Sequence, residues 1–134
     1  MPISFDIRRD LSLAIATHEG VVPDEEFLTA YRSLYGSSRF DKSFNLLVDL
    51  TRADSSTRST ETLKGFADFI RGQYAGTDVS PKVAVVAPEN ISFGLARMYE
   101  SFADTVRWEF RVFREIPDAL FWMGLEEELP GLPE

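Results

Sequence analysis

Apolar and polar residues alternate in two short runs at the start of the chain. Apolar residues occupy every second position over residues 3–8, between Ser, Asp and Arg. The same period recurs over residues 11–16, where Leu and Ile alternate with Ser and Ala. A period of two is typical of β-strands, and the short polar gap between the runs is typical of a turn. The chain is therefore predicted to begin with a β-hairpin.

Beyond this hairpin, helical spacing alternates with short apolar runs. Helix starts are indicated by Pro23 and the acids after it, by Asn90, and by Pro117 with Asp118. Gly36 and Gly76 end the first two helical patterns. Strands are predicted over 44–50, 82–87 and 106–112, and helices over 23–35, 63–74, 90–102 and 117–129.

This order predicts an α/β fold with a mixed, mostly parallel five-stranded sheet. Consecutive strand and helix units imply parallel strands joined by right-handed crossovers. Helices on both faces would require strands that are apolar on both sides. The first, second and fifth strands each carry one polar or small-residue face. All helices are therefore predicted on one face, with strands in sequential order and the first strand antiparallel beside the second.

Composition excludes several classes of protein. The chain has 134 residues, a formal net charge of −8, no cysteine and one histidine. Its length predicts a single domain over 1–134, and its negative charge argues against nucleic acid as a partner. Disulfides and thiol nucleophiles are excluded. No run approaches the ~20 apolar residues of a membrane-spanning helix, so a cytoplasmic protein without a transmembrane segment is expected by default.

The titratable residues do not form a recognisable catalytic pattern. A general base at His18 would need an orienting partner and a nucleophile, and no serine stands in a Gly-x-Ser-x-Gly turn. The acids at 24–26 begin a helix, and the helix dipole alone explains acidic residues there. A metal site is therefore not predicted from them. The sequence therefore predicts no catalytic residue, no metal and no cofactor, and the protein is not expected to be an enzyme.

Several segments carry a family resemblance. Residues 46–50 read Leu-Leu-Val-Asp-Leu, and residues 83–100 lead from a Val-rich strand into a Phe-Gly-Leu-Ala-Arg-Met-Tyr helix. With residues 112–114 and 118–120, these segments and the order of elements resemble the SpoIIAA-like branch of the STAS/SEC14-type domains over nearly the whole chain. The resemblance implies a STAS-type fold in a soluble, bacterial and often dimeric protein, without an established activity.

The same resemblance implies a phosphorylation switch before the second helix. Anti-sigma-factor antagonists, which are better-understood relatives, carry Asp-Ser-Ser-Gly in this loop, with a serine that a partner kinase phosphorylates. Here Thr57 replaces the glycine and the spacing from Asp49 to Asp54 is short. Hydroxyl side chains before a helix also serve as N-caps, which is the alternative function of this loop. The candidate switch residues are Asp49, Asp54, Ser55, Ser56, Thr57 and Ser59.

Asp49 has two further interpretations. It ends the third predicted strand, and ligands in open α/β sheets collect at the carboxyl ends of strands. It could there orient a ligand or the loop hydroxyls. Alternatively, its carboxylate accepts N–H bonds from its own loop.

A partner-binding surface is predicted on the third helix. Gly94 lies in its first turns, where glycine costs about 1 kcal/mol relative to alanine, and this cost suggests a close approach by another group. Phe93 and Arg97 lie one turn apart, off the apolar stripe at positions 91, 95, 98, 99 and 102 that is predicted to be buried. Aromatic residues and arginine are favoured at interface centres. Phe93, Gly94 and Arg97 are therefore the candidate partner-binding residues.

Two functions remain open. The first is a non-enzymatic regulatory or protein-interaction module of the STAS type, with an unidentified protein partner. The alternative is a small apolar-ligand or lipid-binding domain, suggested by the SEC14 resemblance and by many aromatic residues, although such residues more often belong to a core.

A homodimer is also predicted. With all helices on one side, the other sheet face would have an uncovered apolar centre, which soluble monomers rarely leave exposed. The residues at this centre are Ala14, Ala16, Leu47, Ala84 and Val86. The terminal helix offers a second surface, since Phe121 and Trp122 widen its apolar face beyond one packing stripe. Either surface could pair about a two-fold axis.

Overall fold

The structure is a computed structural model that describes residues 2–129. A 3₁₀ turn at Arg9–Leu11 joins the first two strands. The strands are β1 (Ile3–Arg8), β2 (Leu13–Val21), β3 (Asn45–Asp54), β4 (Lys82–Val86) and β5 (Glu109–Phe113). The helices are α1 (Asp24–Gly36), α2 (Thr60–Tyr74), α3 (Asn90–Phe102) and α4 (Ile116–Met123). Within the described residues, no helix is long and apolar enough to cross a membrane.

The five strands form one mixed sheet in the order β1-β2-β3-β4-β5. β1 runs antiparallel to β2, and every other neighbouring pair is parallel. The predicted sequence of elements, the sequential strand order and the mixed sheet are therefore confirmed.

Three helices cover one face of the sheet. The core on this face joins small and branched strand residues, such as Ala14, Leu46 and Val83, to aromatic residues of α1, α2 and α3. Because the strand side chains are small and the helix side chains are large, this layer is filled mainly by aromatic rings. Those rings surround the candidate site described below.

The fourth helix lies on the opposite face, so the prediction that all helices share one face was wrong. Leu47, Ala84 and Val86 pack there against α4, through side chains that include Ala119 and Leu120. The central strands are apolar on both sides, as a sheet covered on both faces requires. Ala84 and Val86 are fully buried beneath α4. The sheet-face dimer surface predicted from these two residues is therefore not available.

The two faces of β2 are also reversed relative to the prediction. Ala14 and Ala16 were expected on the uncovered side, but they belong to the core beneath α1, α2 and α3. Leu13 and Ile15 face α4 instead. Their small size was interpreted as a sign of the face without helices. In the structure, Ala14 and Ala16 instead leave space for the large aromatic rings of the helices that pack on them.

The last helix is shorter than predicted because a glycine ends it. Gly124 adopts a left-handed conformation with φ of 72°. Its N–H donates to the carbonyl of Phe121, and the N–H of Leu125 donates to the carbonyl of Leu120. This pair of bonds is the Schellman motif, which stops a helix and satisfies its last carbonyls.

The third helix buries a different stripe from the predicted one. Its buried residues are Ser92, Ala96 and Tyr99. Ile91 is 57% exposed and Met98 is 38% exposed, although helical spacing had placed both in the core. The helix is therefore rotated so that part of its apolar stripe borders solvent.

Candidate functional site

A cavity of about 100 Å³ lies between the sheet and the helices α1, α2 and α3. A dry cavity of roughly 150 Å³ in another protein holds benzene, so this space suits a compact molecule. Most of its wall is aromatic or aliphatic. The aromatic part of the wall includes Phe27, Tyr31, Phe66, Tyr99, Trp108 and Phe110.

The aromatic wall is held by contacts between rings from different helices. The ring centres of Phe27 and Phe66 are 4.8 Å apart, and those of Phe66 and Tyr99 are 5.3 Å apart. Phe27 and Tyr31 lie one turn apart on α1, with ring centres 5.2 Å apart. Such contacts add about 0.5–1.5 kcal/mol each beyond burial. The rings therefore brace one another around the cavity.

One end of the cavity is polar, and we call its five residues the polar end. They come from β2, α1, the segment between β3 and α2, and α3. They are His18, Tyr31, Ser55, Arg58 and Ser92.

His18 is neutral within the polar end. Its Nε2 atom lies 2.7 Å from the Tyr31 hydroxyl oxygen and shares a hydrogen bond with it. Burial lowers the pKa of His18 from 6.5 to about 3, and the positive charge of Arg58 acts in the same direction. Burial also raises the pKa of Tyr31. Because both groups stay uncharged at neutral pH, they suit hydrogen bonding to a ligand better than proton transfer.

The strand pairing is irregular beside His18. The register of β2 against β3 shifts between Thr17 and Glu19. On β3, the buried Asp49 carboxylate accepts hydrogen bonds at this irregularity from the backbone N–H of Thr51, at 2.9 Å, and from its hydroxyl, at 2.6 Å. Such bulges are common next to functional sites.

Arg58 brings a positive charge into the polar end. Its side chain is only 8% exposed, and its Nη1 donates to the Asp24 carboxylate at 2.7 Å. The guanidinium carbon lies 4.2 Å from the centre of the Phe27 ring. The ion pair and the ring together fix the guanidinium in place.

Two serine hydroxyls link the segment before α2 to α3. The Oγ atoms of Ser55 and Ser92 are 2.9 Å apart and share a hydrogen bond. Each hydroxyl carries one proton, and the hydrogen bond between the two serines uses only one of these two protons. The other proton can be donated to a different acceptor.

Tyr99 has an unsatisfied hydroxyl in the cavity wall. Its oxygen is buried and has no hydrogen-bond partner among residues 2–129. A buried polar group without a partner costs about 1–3 kcal/mol. A polar atom brought by a ligand would relieve this cost.

The predicted switch residues do not all lie in one loop, because Asp49 is inside β3 whereas residues 55–59 form the segment between β3 and α2. Asp49 binds Thr51 as described, and β3 continues past it to Asp54. Asp49 is therefore not at the end of its strand, and it accepts local bonds as its second interpretation predicted. The Asp54 carboxylate accepts from the backbone N–H of Ser56 at 3.0 Å.

The capping alternative is confirmed at one of these residues. The Ser59 hydroxyl oxygen is the N-cap of α2 and accepts from the backbone N–H of Thr62 at 3.1 Å. Ser55 lines the cavity, whereas Ser56 and Thr57 are exposed. Phosphorylation of this segment stays a prediction.

The predicted partner-binding residues on α3 differ in exposure and contacts. Phe93 is half-buried beneath Arg114, whose guanidinium carbon lies 3.9 Å from its ring centre. Arg97 is exposed and donates to Glu100 at 2.9 Å. A Cβ added at Gly94 would meet no atom of the described chain within 4 Å, so the predicted close approach is not found there. Their role in partner binding stays a prediction.

Sequence analysis missed most of the polar end. Ser92 lies off the apolar stripe of α3, and Arg58 occurs in a polar segment between elements. A local signal existed for His18, because β2 extends to Val21 and positions 14, 16 and 18 then share one face.

Comparison with known proteins supports the fold. No family model matches the chain, and no curated protein sequence matches it. A similar solved structure is the crystal structure of an uncharacterised protein from the DUF3478 family with a SpoIIAA-like fold, from Shewanella loihica PV-4. The two chains are 20% identical with a TM-score of 0.55, and the match covers 90% of each. The chain therefore has a SpoIIAA-like α/β fold, as the resemblance in its sequence implied.

Proposed function

We propose that this protein is a small-ligand-binding module that holds a compact, largely apolar molecule in the cavity beneath α1, α2 and α3. The observation that carries this proposal is the aromatic cavity whose wall contains the unsatisfied hydroxyl of Tyr99. Ligand pockets are mostly apolar, with a few polar groups that fix orientation. The cavity has this composition.

The size of the cavity limits the ligand. A volume of about 100 Å³ suits a single ring or a short branched chain. A membrane lipid would need much more space than this cavity offers. Within the broader class of apolar ligands, we therefore propose a small molecule rather than a lipid.

The function we propose is binding without chemistry. Near pH 7, a histidine whose pKa is about 3 is a poor general base, and its neutral ring lacks the acidic second proton of an imidazolium. His18 and Tyr31 can still orient a ligand by hydrogen bonding.

Filling the cavity is expected to abolish binding while leaving the fold intact. Ala96 is buried on α3 and lines the cavity, so Ala96→Leu would occupy part of the ligand's space. We expect at least a tenfold loss of affinity for small aromatic compounds, measured by ligand-observed NMR and calorimetry. A protein purified gently from its source is expected to retain ligand mass in a native mass spectrum.

Met98→Leu is the matched control, because Met98 lies on the same helix but does not line the cavity. This variant is expected to bind like the wild type. Equal affinity of the Ala96→Leu and wild-type proteins would place binding outside the cavity. Absence of any bound compound, native or added, would contradict the proposed function.

A protein-interaction role is the second candidate, and one observation favours α3 as its surface. Ile91 and Met98 are exposed apolar residues two turns apart on this helix. Leu95 lies between them and also lines the cavity. A partner that docks on this stripe would therefore contact the wall of the ligand site.

The outer side of α4 is the surface on which we expect the predicted homodimer to form. Phe121 is 72% exposed, whereas Trp122 is partly covered by Phe113, with ring centres 5.7 Å apart. Light scattering at micromolar concentration is expected to give twice the chain mass of 15.2 kDa. Phe121→Glu should give the chain mass and keep the far-UV circular dichroism spectrum of the wild type. Ile91→Glu is the control and should remain dimeric, while a monomeric wild-type protein would reject the dimer.

A further inference from the structure

The positively charged Arg58 at the polar end has hydrogen-bond donors that no protein group among the described residues accepts from. The Arg58 guanidinium has five N–H donors, and among the described residues it donates only to Asp24, through Nη1. Its side chain is 8% exposed, so water reaches little of it. Unused donors on a nearly buried cation favour a ligand that brings an acceptor.

A second donor lies at the same end of the cavity. The hydrogen bond between Ser55 and Ser92 leaves one hydroxyl proton without a partner among the described residues. The backbone N–H of Arg58 donates to the carbonyl of Ser55 at 3.0 Å, which ties the arginine to this serine pair. The guanidinium and the free hydroxyl proton are therefore held in one short turn.

Arg58 and Asp24 already form a neutral pair, so the charge balance of the site disfavours a dianion more than a monoanion. Asp24 already supplies one negative charge to Arg58, and no other arginine or lysine lines the described cavity. A dianionic phosphate would therefore leave excess negative charge beside a nearly buried ion pair, in a protein of net charge −8. A carboxylate carries one charge, and its planar geometry matches the guanidinium fork.

We infer that the ligand of this cavity is a small carboxylic acid, whose carboxylate binds Arg58 and the Ser55 and Ser92 hydroxyls while its apolar part fills the aromatic interior. This inference rests on the proposed function and adds the chemical class of the ligand. The neutral imidazole of His18 and the hydroxyl of Tyr31 complete the polar end without adding charge.

The test compares acids with their uncharged amides. The probes are benzoate, 3-phenylpropanoate and hexanoate, each paired with its primary amide, and binding is measured by calorimetry and ligand-observed NMR at pH 7 and constant ionic strength. We expect at least one acid to bind the wild-type protein about tenfold or more tightly than its amide, as a charge-assisted bond predicts.

Arg58→Gln is expected to remove this preference while the amide retains its affinity within about threefold. Asp24→Asn combined with Arg58→Gln avoids leaving the Asp24 carboxylate unpaired, and it should show the same loss if the single variant folds poorly. Arg58→Lys is expected to restore part of the preference, because lysine keeps the charge but not the planar fork. Ser55→Ala should reduce it about threefold or more.

Arg97→Gln is the matched control, because Arg97 is exposed on α3 and does not line the cavity. This variant should keep the wild-type preference. Amides that bind as tightly as the acids, or a preference that survives the loss of Arg58, would overturn the carboxylate inference and leave the proposed function standing. If neither acids nor amides bind and no native compound is retained, both proposals are wrong.

Discussion

Ala84→Arg is expected to abolish folding. Ala84 is fully buried on β4, where α4 covers it together with Leu47 and Val86. An arginine there would place an unpaired charge in an apolar layer, at a cost of several kcal/mol. Arg111 lies beside this position on β5 and would repel it. Since small domains are stable by only about 5–15 kcal/mol, most of the protein should be unfolded.

Far-UV circular dichroism and urea denaturation measure this effect. Ala75→Arg is the control, because it makes the same substitution at an exposed position directly after α2 and should change stability by less than about 0.5 kcal/mol. If Ala84→Arg folded with the stability of the wild type, α4 could not cover β4 as the structure shows.

The misplacement of α4 shows what an apolar strand face does and does not predict. Strand order could be predicted, because the period of two and the alternation of strands with helices restrict the topology. The apolar residues Leu47, Ala84 and Val86 indicated that this face needs a cover, but the predicted cover was a second copy of the chain and the observed one is α4. Their pattern is the same whether a helix of the same chain or a second copy of the protein packs on them. To decide between the helix and the second copy, one must know on which face of the sheet the chain continues after β5.

The candidate site was harder to predict because no single element contains it. His18 comes from β2, Tyr31 from α1, Arg58 from the segment before α2, and Ser92 and Tyr99 from α3. Each of these residues has an ordinary explanation in its own segment, such as a polar residue between elements or a ring in the core. Only tertiary packing places them around one cavity.

Acid is expected to destabilise the protein through its single histidine. The pKa of His18 falls from 6.5 to about 3 on folding, mainly because the side chain is buried. Between these two values the unfolded chain binds one more proton than the folded protein does, so the free energy of unfolding decreases as the pH falls below about 6.5. From pH 7 to pH 4.5 this loss is about 2–3 kcal/mol, since each pH unit within the window contributes roughly 1.4 kcal/mol.

The pH range of this loss distinguishes the contribution of His18 to stability from that of the acidic groups. Hydrogen bonds from Ser43 and Ser56 lower the pKa values of Asp41 and Asp54 below 3.8, and the pKa of Asp24 is also lowered, so their destabilising protonation occurs mostly below pH 4.5. His18→Gln keeps a polar group beside Tyr31 but cannot titrate. Urea denaturation at pH 7, 5.5 and 4.5 should therefore show a steep loss of stability in the wild type and a nearly flat profile in the variant. Parallel profiles would mean that His18 is not held neutral in the folded protein, and the polar end would then carry a second positive charge.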